Sequence, residues 1–216
     1  MPWLLPVAKL ALLIAVLLPF LGVRQSGRIL LAYYTGILLL VAFFQNMGDT
    51  ESFGFAWLIG NTIVQLVVAA WCLIDVIGER TRLRRSTLRR NRLWLLLPMA
   101  LAFLMPYGIA EERITPAIGS VLWNDAGVTF CMITPVVLGV LLLFPDGVDH
   151  RTLSVASFVG LLFGLVNMGV WFVLNSADWW MGVLHLPLVV IAAFGLRESR
   201  HQASADRRHR DPIGAR

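Results

Sequence analysis

A strongly basic segment between two apolar runs constrains this chain more than any other feature. Residues 79–92, called here the arginine loop, contain seven arginines: Arg80, Arg82, Arg84, Arg85, Arg89, Arg90 and Arg92. A segment with this charge resists transfer across a bilayer, so we expect it to remain in the cytoplasm. The apolar runs on both sides are long enough to cross a membrane, and their sidedness then follows from that of the loop.

The composition indicates a protein embedded in a lipid bilayer. Of its 216 residues, 58% are hydrophobic and 14% are charged, whereas soluble domains have about 25% charged residues. The formal net charge is +5, which by itself would suit a nucleic-acid partner. The arginines, however, cluster at the ends of apolar runs and in the C-terminal tail, as orientation signals do. We therefore expect lipid, and no nucleic acid, as a partner.

Hydropathy predicts an all-α integral membrane protein with seven transmembrane helices. The predicted spans are residues 3–23, 29–44, 53–77, 93–109, 127–144, 152–174 and 179–196. Residues 1–196 would form one transmembrane domain. Residues 197–216 are polar and lack apolar periodicity, which predicts a disordered, basic, cytoplasmic tail. The first run lacks a basic n-region and a small-residue cleavage site, so we expect a retained helix and not a signal peptide.

The distribution of charge predicts the orientation of these spans. Arg24, Arg28, the arginine loop, Arg151 and the tail fall on one side of the predicted bundle. The opposite side carries an acidic rim, formed by Asp49, Glu51, Glu111, Glu112 and Asp178. The positive-inside rule then places the N-terminus outside and the C-terminus in the cytoplasm of a multi-pass protein of the plasma (inner) membrane.

Short matches between the two halves suggest an internal repeat. Residues 46–48 and 167–169 are both Asn-Met-Gly, and all the matches, including this one, have offsets of 121 to 125 residues. They predict a 3+1+3 parallel duplication, with spans one to three repeated as spans five to seven. This layout resembles that of the SWEET and PQ-loop sugar transporters, although the proline-glutamine pair of PQ-loop proteins is absent. The resemblance is one of topology, and it implies transport of a small solute.

Five polar side chains inside the predicted spans form the candidate ligand-binding set: Lys9, Asn61, Gln65, Asn167 and His185. Such residues are costly in a membrane and are often functional. At 1.5 Å per residue, Lys9, Asn61, Asn167 and His185 lie roughly 9 to 12 Å from the outer end of their spans. We predict that they share a pocket for a small polar or anionic solute. Protonation of His185 would then link binding to pH between about 5 and 8.

Each of these residues also has a structural interpretation. Lys9 can extend to the outer headgroups, and the three amides can join helices by hydrogen bonds. His185 can bind a backbone carbonyl. Asp75, near the inner end of the third span, is predicted to pair with arginines of the loop. A stripe of small residues, Ala156, Gly160 and Gly164, is typical of a helix packing face and is the predicted surface for a homo- or hetero-oligomer.

Three functional hypotheses follow from the sequence. The first is a small-solute carrier with a polar site in the outer half of the bundle. The second is a non-catalytic membrane subunit or sensor that acts through helix contacts and the arginine loop. The third is a membrane enzyme that acts on lipid at the outer acidic rim. No catalytic residues, metal ligands or cofactor are predicted, because no motif for them is present.

Overall fold

The computed structural model describes residues 4–50, 54–105, 107–110, 113–116, 124 and 127–210. These residues are mostly helical. The helices are α1 (Leu4–Leu17), α2 (Ser26–Phe44), α3 (Ile59–Gly78), α4 (Leu96–Leu104), α5 (Phe130–Leu143), α6 (His150–Gly169), α7 (Trp179–Val183) and α8 (Leu186–Arg210). A π-helical turn extends α6 over Val170–Leu174. Short 3-10 turns occupy Arg85–Thr87, Arg90–Leu95, Pro145–Gly147 and Ser176–Asp178.

Three of the described helices are long and apolar enough to cross a membrane: α2, α3 and α6 with its extension to Leu174. A fourth candidate is residues 176–183 together with 186–205, which are bent by 47° at the break between α7 and α8. The apolar helices α1 and α5 have 14 residues each, fewer than the ~20 of an upright span. The chain is thus a membrane-embedded, multi-pass helical protein with three to four candidate spans.

Two β-hairpins replace parts of the predicted third and fourth spans. Strand β1 (Met47–Thr50) pairs antiparallel with β2 (Gly54–Trp57), and β3 (Tyr107–Ala110) pairs with β4 (Arg113–Pro116). Consequently α3 begins at Ile59 instead of residue 53, and α4 ends at Leu104 instead of residue 109. Gly54, the first residue of β2, has a positive φ of +66°, which glycine adopts without strain. Since each hairpin joins antiparallel helices, both lie at one end of the bundle, the hairpin end.

The opposite end, the arginine end, holds the arginine loop and the turn between α5 and α6. Helix α6 begins at His150 because the Asp149 carboxylate accepts hydrogen bonds from the backbone N–H groups of Arg151 and Thr152. Helix α8 continues to Arg210, so residues 197–210, predicted as a disordered tail, are helical. Gln202 supports this extension, since its Nε2 donates to the carbonyl of Pro145 at 2.9 Å.

Helix α5 forms the centre of the bundle, and all its residues except Cys131 are buried. It packs against α1, α2, α4, α6 and α8. Helix α2 packs along α3, and α6 packs along α8. A buried hydrogen bond of 2.9 Å joins the hydroxyl groups of Tyr34 on α2 and Thr134 on α5. The two helix pairs therefore meet on a common central helix.

The small-residue stripe on α6 is used within the chain. Ala156 is buried, a Cβ on Gly160 would touch Leu188 and Ala192 of α8, and one on Gly164 would touch Val189. The predicted role of the stripe as a surface for a homo- or hetero-oligomer stays a prediction. Small residues let two helices approach closely, and here the second helix is α8 of the same chain.

Candidate functional site

Lys9 is the most deeply buried charged residue of the predicted ligand set, with 1% of its surface exposed. Its Nζ donates a 2.8 Å hydrogen bond to Oδ1 of Asn124 and lies 4.9 Å from the ring centroid of Phe103. The Asn124 amide in turn donates to the carbonyls of Leu104 and Met105, at 2.8 and 2.9 Å. These contacts join α1 to the last turn of α4 and place the ammonium in a polar environment inside the protein.

Gln65 belongs to a second polar cluster, between α2 and α3. The Asn46 amide donates to Oε1 of Gln65 at 2.8 Å and to Oγ1 of Thr62 at 3.2 Å. The indole N–H of Trp57, on β2, also donates to Thr62 Oγ1, at 2.9 Å. Asn61 is half-buried on the same helix, one turn before Gln65. This cluster fixes the first hairpin on the α2–α3 pair, as interhelical amides commonly do.

The remaining two members of the set bind backbone carbonyls four residues earlier in the chain. Nδ2 of Asn167 donates to the carbonyl of Phe163 at 2.8 Å, and Nδ1 of His185 lies 2.9 Å from that of Met181. Asn46 makes the equivalent bond to a carbonyl four residues earlier, at 3.3 Å. The two Asn-Met-Gly asparagines therefore share one local geometry. The described hydrogen bonds give Lys9, Gln65, Asn167 and His185 different partners, and a shared pocket stays a prediction.

The predicted acidic rim is only partly within the described residues. Glu51, Glu111 and Glu112 lie outside them. The backbone of Asp49 pairs with that of Phe55 in the first hairpin. Asp178 ends a 3-10 turn and is half-buried. Within the part of the chain that the structure describes, no three His, Cys, Asp or Glu side chains are grouped so that they could hold a metal ion.

At the arginine end, backbone hydrogen bonds give the arginine loop a defined fold, although most of its side chains are exposed. The backbone N–H of Arg82 donates to the carbonyl of Gly147 at 2.6 Å, and that of Arg89 donates to the carbonyl of Leu143 at 2.9 Å. Leu83 is buried in the core, between these two points. A Cβ on Gly147 would overlap the carbonyl oxygen of Arg82, so only glycine permits this close contact between the loop and the α5–α6 turn.

A buried carboxylate begins the loop. Asp75, with 2% exposure, accepts hydrogen bonds from the backbone N–H and the hydroxyl of Thr81, at 2.8 and 2.7 Å. The Thr81 hydroxyl oxygen also accepts from the backbone N–H of Asp149, at 3.2 Å. The predicted pairing of Asp75 with the loop arginines is replaced by these bonds, because Thr81 supplies two donors directly at the carboxylate. The Asp75 side chain thus connects α3, the loop and the start of α6.

An ion pair closes the far end of the loop. Nη2 of Arg92 lies 2.8 Å from Oε2 of Glu198 on α8, and the two side chains are 16% and 18% exposed. Nη1 of Arg92 donates to the carbonyl of Leu142 at 3.1 Å. A second, exposed pair joins Arg89 to Asp146 at 2.8 Å, and the hydrogen bond to Asp146 raises the pKa of Arg89. The loop is thereby held by backbone and side-chain bonds along its length.

A cavity of about 560 Å³ opens between the arginine loop and the turn from α1 to α2. Its charged lining consists of five arginines and one acid: Arg24, Arg28, Arg82, Arg84, Arg85 and Glu79. Glu79 pairs with Arg28 at 2.8 Å, with side-chain exposures of 53% and 44%. Arginine is permanently charged and presents paired N–H donors to oxyanions. The arrangement can therefore bind an anion.

Glu79 has an unusual backbone conformation at the rim of this cavity. It follows the last residue of α3 with φ of +48°, in the left-handed region, although it is not glycine. This conformation costs a non-glycine residue ~1 kcal/mol. The backbone N–H groups of Glu79 and Arg80 both donate to the carbonyl of Asp75. The chain thus leaves α3 through a strained residue whose side chain reaches Arg28.

The charge of the arginine loop predicts an orientation signal, and no pattern in its sequence indicates a cavity. No sequence motif marks Asn124 or Thr62, which are the partners of Lys9 and Asn46. A second basic segment, at Arg24 and Arg28, lines the same cavity as the loop. Its positive charge is the sequence feature from which a shared anion site could have been predicted. Comparisons of the chain with protein-family models, curated proteins and solved structures find no match.

Proposed function

We propose that this chain is a non-catalytic membrane subunit or sensor that recognises an anionic ligand at its arginine end. The observation that carries the proposal is the cavity between the arginine loop and the α1–α2 turn, which is lined by five arginines and one glutamate. The loop backbone in the cavity wall is held in place, because the N–H groups of Arg82 and Thr81 donate to the carbonyl of Gly147 and the carboxylate of Asp75. A wall that is already ordered loses less entropy when a ligand binds.

The proposal includes seven spans, with the N-terminus outside and the arginine end in the cytoplasm. It is supported by the arginine asymmetry and by the alternation of hairpins and basic turns along the chain. The helices α1, α4 and α5 are short for a bilayer, but α5 is enclosed by other helices. Protein neighbours can satisfy irregular backbone next to such short helices.

Cysteine labelling tests this orientation. Ser86 lines the cavity and Ser176 lies in the exposed turn before α7. We would introduce Ser86→Cys or Ser176→Cys into a chain in which Cys72 and Cys131 are replaced by alanine. A membrane-impermeant maleimide added to intact cells should label position 176, and it should label position 86 only after permeabilisation. Labelling of position 86 in intact cells would reject the orientation.

Anion binding to the purified full-length chain tests the receptor function. Citrate, sulfate and pyrophosphate would be compared at matched ionic strength, with thermal unfolding as the measurement, because a ligand of the native state raises its stability. The double variant Arg84→Ala/Arg85→Ala should lose the stabilisation. The matched control Arg80→Ala/Arg90→Ala removes the same charge from the loop but not from the cavity lining. If no anion stabilises the native chain, the proposal is wrong.

A small-solute carrier is the second candidate, and the burial of Lys9 is the observation that favours it. An ionisable group inside a membrane protein often marks a solute pathway. The site would comprise Lys9, Asn61, Gln65, Asn167 and His185, and its solute would be polar or anionic. An Asn61→Cys variant should then react with an impermeant maleimide from either side of the membrane in turn. Reaction from one side only would contradict alternating access and leave Lys9 with a structural role.

A further inference from the structure

We infer that the arginine cavity binds a phosphate-bearing group, a phosphomonoester or a pyrophosphate, and that Glu79 competes with this group for Arg28. The inference rests on the proposed anion-receptor function and specifies its ligand. It follows from three properties of the cavity: the number of its charges, the fixed position of its walls and the conformation of Glu79.

The charge of the cavity suits a compact anion with more than one negative charge. Five arginines and one glutamate leave a formal charge of +4, from five positive charges minus one negative charge. A ligand with one carboxylate would neutralise only one of these four net positive charges. A phosphomonoester carries about −1.5 to −2 at neutral pH and has three strong acceptor oxygens. Arginine forks bind such oxygens in pairs, so a phosphate group makes fuller use of this lining than a carboxylate does.

The walls of the cavity add directed donors to this charge. Gln25 and Arg28 bring the N-terminal end of α2, a helix of 19 residues, to the cavity, and the helix dipole makes this end positive. Nε of Arg82 donates to the backbone carbonyl of Glu79 at 3.1 Å, which holds that arginine at the rim. Arg84 and Arg85 are exposed beside it. Two separate parts of the chain thus contribute positive charge to one opening.

The size of the cavity indicates that the phosphate belongs to a larger molecule. Its volume of about 560 Å³ is within the range of ~300–1,000 Å³ that is usual for small-molecule sites. An isolated phosphate ion would leave most of this space empty. The phosphate group can come from the headgroup of an anionic lipid or from a soluble phosphorylated compound, and the experiment below distinguishes these sources.

Glu79 is the one anionic side chain in the cavity lining. Its backbone conformation, with φ of +48°, favours glycine, yet the position carries a carboxylate that pairs with Arg28 at 2.8 Å. Both side chains are about half exposed, and pairs of this kind are weak. A phosphate group can therefore displace Glu79 from Arg28. Binding of the ligand to Arg28 would then be coupled to the release of Glu79 from Arg28.

Calorimetric titration of the purified full-length protein in uncharged detergent, with inorganic pyrophosphate as the probe, tests the inference. We expect saturable binding that is tighter than binding of citrate or sulfate at matched ionic strength. Arg84→Ala/Arg85→Ala should weaken binding at least tenfold, since it removes two of the five guanidinium groups from the cavity lining. Arg80→Ala/Arg90→Ala should leave it unchanged. Glu79→Gln should strengthen it, because the competing carboxylate is removed.

A lipid measurement distinguishes the two sources of phosphate. The protein would be placed in nanodiscs of phosphatidylcholine containing phosphatidic acid or, as the control, phosphatidylglycerol, and co-purified lipid would be measured. Preferential retention of phosphatidic acid, lost in Arg84→Ala/Arg85→Ala, assigns the site to a lipid headgroup. Pyrophosphate binding without such retention assigns it to a soluble compound.

Several results would overturn the inference. If citrate stabilises the protein but neither pyrophosphate nor phosphatidic acid binds, the phosphate assignment fails while the anion-receptor function stands. If no anion binds, the phosphate assignment and the anion-receptor function both fail. Equal weakening by the cavity and control double variants would show diffuse attraction without a site. Unchanged pyrophosphate affinity in Glu79→Gln would exclude competition by Glu79.

Discussion

Arg92 and Glu198 form an ion pair of 2.8 Å between residues that are 106 positions apart. The pair joins the end of the arginine loop to the part of α8 that follows Leu196, its last large apolar residue. The Arg28–Glu79 pair has the same 2.8 Å separation, but its side chains are 44% and 53% exposed, against 16% and 18% for Arg92 and Glu198. The two pairs therefore differ mainly in their access to water.

This difference in burial predicts a difference in stability. Glu198→Gln should lower the free energy of unfolding by about 1–3 kcal/mol, because a partly desolvated Arg92 loses its charged acceptor. Glu79→Gln should change it by less than about 1 kcal/mol, as for other exposed pairs. Chemical unfolding of the two full-length variants in the same detergent measures both changes in the free energy of unfolding. Equal losses in the two variants would contradict this prediction.

The Asp75 carboxylate predicts a local effect on the arginine loop. Asp75→Ala should cost about 2 kcal/mol or more, because it leaves the buried N–H and hydroxyl of Thr81 without their acceptor. Asp75→Asn keeps one carbonyl oxygen and should cost less. Chemical unfolding of the variants measures the loss of stability. Limited proteolysis within residues 79–92 shows whether the loss is located in the arginine loop. Proteolysis of Asp75→Ala at the wild-type rate would show that the loop does not depend on this residue.

Lys9 and Asn124 should be energetically coupled. We predict a coupling of about 0.5–3 kcal/mol in a double-mutant cycle with Lys9→Met and Asn124→Leu, since the residues share a 2.8 Å hydrogen bond. Methionine and leucine retain much of the buried volume and remove the polar groups. The cycle is measured by unfolding of the four proteins. Strictly additive losses would mean that the ammonium derives its stability from other contacts.

Gly147 and Gly36 provide a matched pair of glycine substitutions. Gly147→Ala should destabilise the protein, because its Cβ would overlap the carbonyl oxygen of Arg82. Gly36, within α2, has no heavy atom within 4 Å of an added Cβ. Gly36→Ala should therefore be neutral or stabilise by up to about 1 kcal/mol through helix propensity. The thermal unfolding temperatures of the two variants, each measured against the unsubstituted protein, test this prediction. A neutral Gly147→Ala would show that the loop can shift away from the turn.

Continuous apolar helices could be predicted from the sequence to within a few residues. Residues 29–44 and 152–174 were predicted as spans, and the structure has helices over Ser26–Phe44 and His150–Leu174. In both cases one apolar run coincides with one helix. The ends of α3 and α4 were harder to predict because the residues next to them are also apolar, and hydropathy does not separate a hairpin strand from a helical turn.

The contacts of the candidate sites could not be predicted in this way. Lys9 and Asn124 are 115 positions apart, and their meeting depends on the rotation and depth of α1 relative to α4. The shape of the arginine loop depends on Gly147, Leu143 and Glu198, none of which lies near it in sequence. The charge of the loop predicts only that the segment is solvated. It does not predict which carbonyls of a distant turn accept hydrogen bonds from the loop.

The bond between Arg82 and Gly147 also determines when the cavity can form during synthesis. Gly147 follows α5 in the chain, so the loop's partner does not exist when the first three helices emerge, and Glu198 is made later still. The arginines can orient the nascent chain from the moment of insertion, because orientation depends only on their charge. The geometry of the proposed binding site requires the C-terminal half of the chain. If the proposed orientation holds, a truncated or stalled chain would have that orientation in the membrane but would lack the proposed site.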